Sequence, residues 1–166
     1  MFLVMTMLLI TLTGCSSDDD GGSSGGAASG TINAKIDGTN FTSMEISSSA
    51  TLANSGQNLV IIGSNSSGKA ITITIIGYEG EGTYEISGSM VSSASYSETD
   101  VSNPSNPTTE IWQSPYEDSL LGEINISEET ENKIKGTFNF MCKNVNGDDS
   151  IKNITEGSFD LDKQIT

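Results

Sequence analysis

The chain has 166 residues and a formal net charge of −15 at pH 7, from 22 Asp and Glu against 7 basic residues, with no His. Phosphate contacts require clustered Lys and Arg, so this charge excludes nucleic acid as an expected partner. General acid–base catalysis without His would need a carboxyl group with a shifted pKa, and no spacing singles one out. We therefore expect a protein that is not an enzyme and carries no cofactor.

The first 15 residues have the pattern of a lipoprotein signal. The apolar run Phe2–Leu12 is shorter than the roughly 20 residues that a permanent membrane helix needs. It ends in Leu12-Thr13-Gly14-Cys15, which resembles the lipobox of bacterial lipoproteins. The resemblance implies a signal peptide over residues 1–14, diacylglycerol (with further acylation such as palmitate) on Cys15, and a membrane bound through that lipid.

An acidic stretch and a linker follow this cysteine. Ser17, Asp18, Asp19 and Asp20 resemble the export signal of Bacteroidetes-type lipoproteins. The resemblance implies an outer-membrane lipoprotein that faces the cell exterior, whereas a solvated spacer is the alternative interpretation. The Gly/Ser-rich composition up to Gly30 is typical of flexible chain. Residues 15–30 are thus predicted to tether a single domain, residues 31–166.

The domain shows apolar residues at every second position, which predicts strands and no helix. A hairpin is expected where Ile32, Ala34 and Ile36 are followed by the turn Asp37-Gly38. Other predicted strands are Asn58–Gly63, Lys69–Ile76, Gly82–Ser87, a short one at Ile111-Trp112, Leu120–Ser127, Lys133–Lys143 and Ile151–Leu161. The region 89–119 is the least regular. Successive hairpins predict an all-β fold, an antiparallel meander closed as a β-sandwich or a small β-barrel.

Four strand motifs carry a further resemblance. They are Gly82-Thr83-Tyr84, Leu121–Ile126, Lys135–Phe140 and Thr155–Leu161. Together they resemble a family of small Bacteroidetes lipoproteins of unknown function, over most of residues 31–161. The family implies no activity and no site residues. Physically, the Gly of each Gly-Thr/Ser-aromatic motif permits close backbone approach or a bulge while the aromatic ring fills the core.

Two weak candidate sites stand out in the domain. The segment containing Asn144, Asn146, Asp148 and Asp149 offers oxygen ligands for calcium, although a solvated hairpin turn at Asn146-Gly147 is the simpler interpretation. Rings on the irregular region could stack on sugars, and the candidates are Tyr96, Trp112 and Tyr116. The simpler interpretation is that Trp112 closes the end of the core. Cys142 alternates with phenylalanines and is expected to be a small core residue.

These patterns lead to two hypotheses about function. The first is a membrane-anchored, surface-exposed binding or interaction module without catalysis, with an extracellular glycan or envelope protein as partner. The second is a structural or shielding envelope lipoprotein with no small ligand. A pocket with converging polar groups would favour the first, and a filled core with acidic faces would favour the second.

Overall fold

The structure is a computed structural model that describes residues 26–100, 102 and 105–166. The predicted signal peptide, Cys15 and the acidic stretch from Ser17 to Asp20 lie outside the described residues. Eleven strands and one short 3-10 helix, Glu45–Ser47, form the described regular structure, which confirms the all-β prediction. The strands are β1 (Thr31–Ile36), β2 (Thr39–Thr42), β3 (Ser49–Ala53), β4 (Asn58–Ser64), β5 (Lys69–Ile76), β6 (Gly82–Ser87), β7 (Ser93–Asp100), β8 (Thr108–Ser114), β9 (Leu120–Glu129), β10 (Lys133–Lys143) and β11 (Ile151–Ile165).

The strands form two layers. A six-stranded layer has the order β2-β1-β11-β10-β9-β6, and a five-stranded layer has the order β3-β4-β5-β7-β8. The layers join at two corners, because Lys163–Ile165 of β11 pairs with β3 and Lys143 of β10 pairs with Gln113 of β8. The sheet therefore closes on itself, as a sandwich with barrel-like corners. Two details differ from a simple meander. β11 and β3 are parallel, and the chain crosses after β5 from the five-stranded layer to the six-stranded layer, where β6 pairs with β9.

The core lies between the layers and follows the alternation in the sequence. Both layers contribute isoleucines, and those of the five-stranded layer include Ile61, Ile71 and Ile73, all fully buried. The six-stranded layer contributes aromatic rings, and Phe138 lies 6.1 Å from Phe140 and 6.3 Å from Phe159 between ring centroids. Burial of these side chains is the main source of stability.

Glycines next to the rings explain the Gly-Thr/Ser-aromatic motifs. A Cβ on Gly136 would lie 2.5 Å from the ring of Phe159, and one on Gly157 would lie 2.5 Å from the ring of Phe138. The missing side chains leave room for the rings, as the sequence predicted. A bulge at Glu156, whose φ is 51°, interrupts the pairing of β11 with both of its neighbours.

The irregular region contains more structure than predicted. It holds both β7 and a longer β8, and β3 is a further strand that the periodicity did not predict. Strand β3 is only five residues long and β7 has only Ala94 and Tyr96 as apolar residues, so their pattern in sequence is weak. The described residues include no helix that is long and apolar enough to cross a membrane.

Candidate functional site

The outer face of the six-stranded layer contains a depression of about 560 Å³. Strands β1, β2, β9, β10 and β11 all contribute to its lining, so this face is concave. Most of the lining side chains are amides, hydroxyls or charged groups. We call this site the polar depression, and its polar side chains are Asn33, Lys35, Asn40, Thr42, Glu123, Asn125, Thr137, Asn139, Glu156 and Ser158.

Strand register brings these distant residues together. One row crosses five strands through the paired positions Asn125, Thr137, Ser158, Asn33 and Thr42. Because neighbouring strands lie about 4.8 Å apart, the row is roughly 19 Å long. All five side chains are neutral and can both donate and accept hydrogen bonds. The depression therefore presents a line of neutral polar groups rather than a single charged centre.

The charges of the depression are partly neutralised. Lys35 Nζ donates to Glu156 Oε1 at 2.8 Å, so its one lysine is paired. Glu123 is exposed, has no partner within the described part of the chain, and lies opposite Glu85 in the register of β9 and β6. The depression therefore carries a small net negative charge, which favours ligands that donate hydrogen bonds and disfavours anions.

One buried polar atom in the depression lacks a partner. Asn33 Oδ1 is shielded from solvent and accepts no hydrogen bond from any described residue. At the far end of the row, Asn125 Nδ2 donates to Thr83 Oγ1 at 2.9 Å. Buried acceptors are nearly always satisfied, so this orphaned atom marks a position where a small rotation of the Asn33 side chain toward the depression would bring it to a ligand or water donor.

Aromatic stacking is not available in this depression. Phe41 and Phe138 contribute to its lining, but both side chains are buried in the core. A ligand held here would therefore bind through hydrogen bonds to amides, hydroxyls and backbone rather than through ring contacts.

The aromatic candidates occupy a different place. Tyr96 is 0% exposed and its hydroxyl donates to Glu98 Oε1 at 2.6 Å, while Trp112 is 3% exposed and its Nε1–H donates to Ser150 Oγ at 2.9 Å. Burial and the hydrogen bond to Glu98 raise the pKa of Tyr96 well above its ordinary value. The two rings are core residues, which corrects the hypothesis of a sugar-stacking platform. Tyr116 is half-buried after β8 and does not line the depression.

The calcium candidates form a hairpin turn between β10 and β11. Asn144 is buried and Asn146 is exposed. Asp148 Oδ1 accepts the Ser150 N–H at 2.9 Å, which lowers the pKa of Asp148, and Asp149 Oδ1 accepts from Lys143 Nζ at 2.8 Å. These carboxylates are engaged within the turn. Among the described residues, no three His, Cys, Asp or Glu side chains cluster as a metal site.

Residues 28–160 match a family described as a domain of unknown function, DUF6252. The chain belongs to the DUF6252 family. Neither curated proteins nor solved structures give a match. The DUF6252 range contains all ten polar side chains of the depression, from Asn33 to Ser158.

Sequence reasoning did not find the polar depression of this DUF6252 domain. Its residues are spread over more than 120 positions and each one looks like an ordinary solvent-facing strand residue. The available signal was the choice of Asn at several outward positions, where Asn is disfavoured in strands. Such residues carry a conformational cost, which is consistent with a role other than folding.

Proposed function

We propose that the domain is a non-catalytic binding module that holds a neutral, hydroxyl-rich ligand, such as an extracellular glycan, in the polar depression. A sugar hydroxyl donates one hydrogen bond and accepts others, as do the amides and hydroxyls of the row. The depression, at about 560 Å³, has the size of a small-molecule site. This converging polar surface favours a binding module over a purely shielding protein.

The observation that carries the proposal is the orphaned Asn33 Oδ1. It lies next to the β2 end of the row, between Ser158 of β11 and Thr42 of β2. A small rotation of the Asn33 side chain toward the depression would let a hydroxyl of a ligand lying along the row donate to it, which removes the cost of a buried, unpaired acceptor, about 1–3 kcal/mol. No charged donor is needed.

Catalysis is not part of the proposal, although two carboxylates, Glu123 and Glu156, line the depression. A glycoside hydrolase requires one carboxyl group prepared as an acid by a desolvated site. Glu123 is exposed, and the Glu156 side chain is 67% exposed and ion-paired with Lys35. Neither group has the burial that would prepare it for proton donation.

The binding test uses the full chain in detergent and a panel of neutral cello-, xylo-, malto- and chito-oligosaccharides, with polygalacturonate as the anionic comparison. We expect calorimetric binding to at least one neutral oligosaccharide and none to polygalacturonate. Asn33→Ala should weaken binding about tenfold, equivalent to roughly 1.4 kcal/mol. The matched control is Asn58→Ala, because Asn58 Oδ1 is also buried and unpartnered among the described residues, but on the other layer. Equal losses in both variants, or no binding at all, would refute the proposal.

We also propose that this module is displayed on the outer membrane by lipid on Cys15, with Ser17, Asp18, Asp19 and Asp20 as its export signal. Gly26 lines the depression, so the tether joins the domain on the binding side. Fully extended, the chain from Cys15 to Gly26 spans at most about 40 Å. The polar depression would then stay near the cell surface, where envelope and extracellular glycans lie.

Protease treatment of intact cells tests the display. We expect the domain to be digested without lysis in cells with the native sequence. Replacing Asp18, Asp19 and Asp20 together by Ala should protect it from digestion while it stays in the membrane fraction. Cys15→Ser should release it from membranes. Digestion that requires lysis of cells with the native sequence would contradict surface display.

A further inference from the structure

The outer face of the five-stranded layer consists of 18 side chains, none of them charged. They all have the outward parity of strands β3, β4, β5, β7 and β8. We call this set the uncharged face, and it consists of Ser49, Thr51, Ala53, Asn58, Val60, Ile62, Ser64, Ala70, Thr72, Thr74, Ile76, Ser93, Ser95, Ser97, Thr99, Thr109, Ile111 and Gln113.

Charge is systematically absent from this face. These five strands, fully described, contain only four charged residues, Lys69, Glu98, Asp100 and Glu110, and each has the opposite parity near a strand end. The chain as a whole has a formal net charge of −15. An exposed sheet face normally carries Lys and Glu for solubility. An 18-residue face without them is expected only where another surface covers it.

The face also consists mostly of small side chains and is partly apolar. It has no aromatic and no long charged side chain, and most of its members are Ser, Thr or Ala. Three isoleucines are well exposed, namely Ile62 at 40%, Ile76 at 48% and Ile111 at 46%. Small side chains on a sheet permit a second sheet to stack at about 10 Å, as in the interior of a sandwich.

We infer that a second copy of this chain packs on the uncharged face and forms a symmetric, face-to-face dimer. The argument is electrostatic. All seven Lys form ion pairs with carboxylates at distances of 2.8–3.8 Å. Twelve of the described Asp and Glu have no Lys partner, so the remaining surface is acidic and repels a second copy. The uncharged face is where two such chains can meet without direct like-charge contact.

The size of the face fits a weak, reversible dimer. Stable interfaces use about 20–30 residues from each partner, and this face provides 18. Five strands about 4.8 Å apart, each with about seven residues at 3.3 Å, cover roughly 550 Å² per copy. The total of roughly 1,100 Å² lies at the lower limit of specific interfaces. Association should therefore increase with protein density and with salt, which screens the net charge.

The central strand defines where the two copies meet. β5 lies between β4 and β7, so Thr72 and Thr74 are at the middle of the face. In a two-fold interface a residue near the axis contacts its own counterpart. Cysteines placed at this position in two copies therefore face each other across the sheet spacing of about 10 Å, a separation that a short bis-maleimide can bridge.

The test is cross-linking of the full chain in intact cells with a short bis-maleimide. Thr74→Cys should give a covalent dimer with this reagent, at least fivefold above the unsubstituted chain. The native thiol contributes little, because Cys142 is fully buried. The matched control is Thr137→Cys on the opposite layer, which should remain monomeric. Absence of a dimer from Thr74→Cys and also from Thr72→Cys and Ser95→Cys would overturn the inference.

Charge substitutions identify the partner. In the Thr74→Cys background, both Thr72→Asp and Thr72→Lys should reduce cross-linking at least fivefold, because either charge faces itself across a two-fold axis. Thr72→Val should retain the dimer, and an unchanged circular-dichroism spectrum of the purified protein confirms that each variant folds. If only one of the two charged variants reduced the cross-linking yield, the face would bind a charged partner other than this chain. If neither variant reduced the yield, the cross-link would come from random collision. Either result refutes the dimer.

Discussion

The outer faces of the two layers differ in charge, contour and side-chain size, although the same alternation builds both. The six-stranded layer carries lysines, carboxylates and amides around a depression, including Lys35, Glu156 and Asn33. The five-stranded layer carries Ser, Thr and small apolar residues with no charge on its outer side. Since both faces would fold equally well with ordinary Lys and Glu, the difference points to function rather than folding.

The inner sides differ in a related way. Both layers bury isoleucines and aromatic rings, but the glycines that make room for rings, Gly136 and Gly157, lie in the six-stranded layer. The bulge at Glu156 then places that carboxylate within reach of Lys35 on the rim of the depression. The contour of the polar depression thus depends on close packing beneath it. The uncharged face needs only regular strands.

The largest expected difference in stability between the layers comes from replacing a buried glycine by alanine. A Cβ on Gly136 would clash with the backbone carbonyl of Asn125 and the ring of Phe159, neither of which can move freely. A Cβ on Gly63 would meet the tip of Ile32 at 2.7 Å, and that tip can rotate. We expect Gly136→Ala to lower the free energy of unfolding by about 3 kcal/mol and Gly63→Ala by about 1 kcal/mol. Denaturant unfolding of both variants measures this, and equal losses would contradict the packing argument.

A smaller difference is expected from the ion pairs. Glu129 accepts from Tyr78 and from Lys163 Nζ, both at 2.9 Å, and the Lys163 side chain is only 9% exposed. Glu129→Ala leaves that ammonium almost buried without its partner and should cost about 2 kcal/mol. The comparison is Lys69→Ala, which removes an exposed 3.8 Å pair with Glu98 and should cost less than about 0.5 kcal/mol. The measurement is the denaturant midpoint of unfolding. A similar shift of this midpoint in the two variants would show that the hydrogen bonds of Glu129 do not stabilise the fold more than an ordinary surface ion pair does.

A further effect, which depends on pH, concerns the corner where the layers join. Burial raises the pKa of Cys142 from its ordinary 9.0 to about 12. Below pH 9 the thiol is protonated in both states and has no effect. Between pH 9 and 12 the unfolded chain loses a proton that the folded chain retains, so stability falls as pH rises. The thiol contributes at most about 1.4 kcal/mol per pH unit.

Cys142→Ala isolates this contribution. The variant should lose less stability than the native sequence between pH 8.5 and pH 10.5, measured as the shift in denaturant midpoint. Buried tyrosines such as Tyr96 act in the same direction and remain in both proteins. Identical pH dependence of the two chains would show that the thiol is accessible in the fold.

Strong alternation made much of the fold predictable. The predicted bounds of β5, β6 and β10 match the structure, and the turn at Asp37-Gly38 has positive φ at both residues, 48° and 82°. Strand β7 was missed because its inward positions supply only Ala94 and Tyr96 as apolar residues. The crossing of β6 to the other layer depends on pairing between distant strands, which local periodicity does not encode.

The candidate site was less predictable than the fold. Tyr96 and Trp112 were candidates for stacking on a ligand because their region has an irregular sequence pattern. In the structure they are paired positions of β7 and β8, and both side chains are buried in the core. The residues of the polar depression meet only after β1, β9, β10 and β11 align in register. Likewise, the uncharged face is recognised only when outward positions from five strands are combined.

A crossed pair of lysine substitutions tests most directly whether the two faces have separate partners. Thr137→Lys lies in the polar depression and Thr74→Lys lies in the uncharged face. Both are measured for oligosaccharide binding and for cross-linking through Ser95→Cys. We predict that Thr137→Lys loses binding and retains the dimer, and that Thr74→Lys loses the dimer and retains binding. Loss of both properties in either folded variant, or the reverse assignment, would contradict this account.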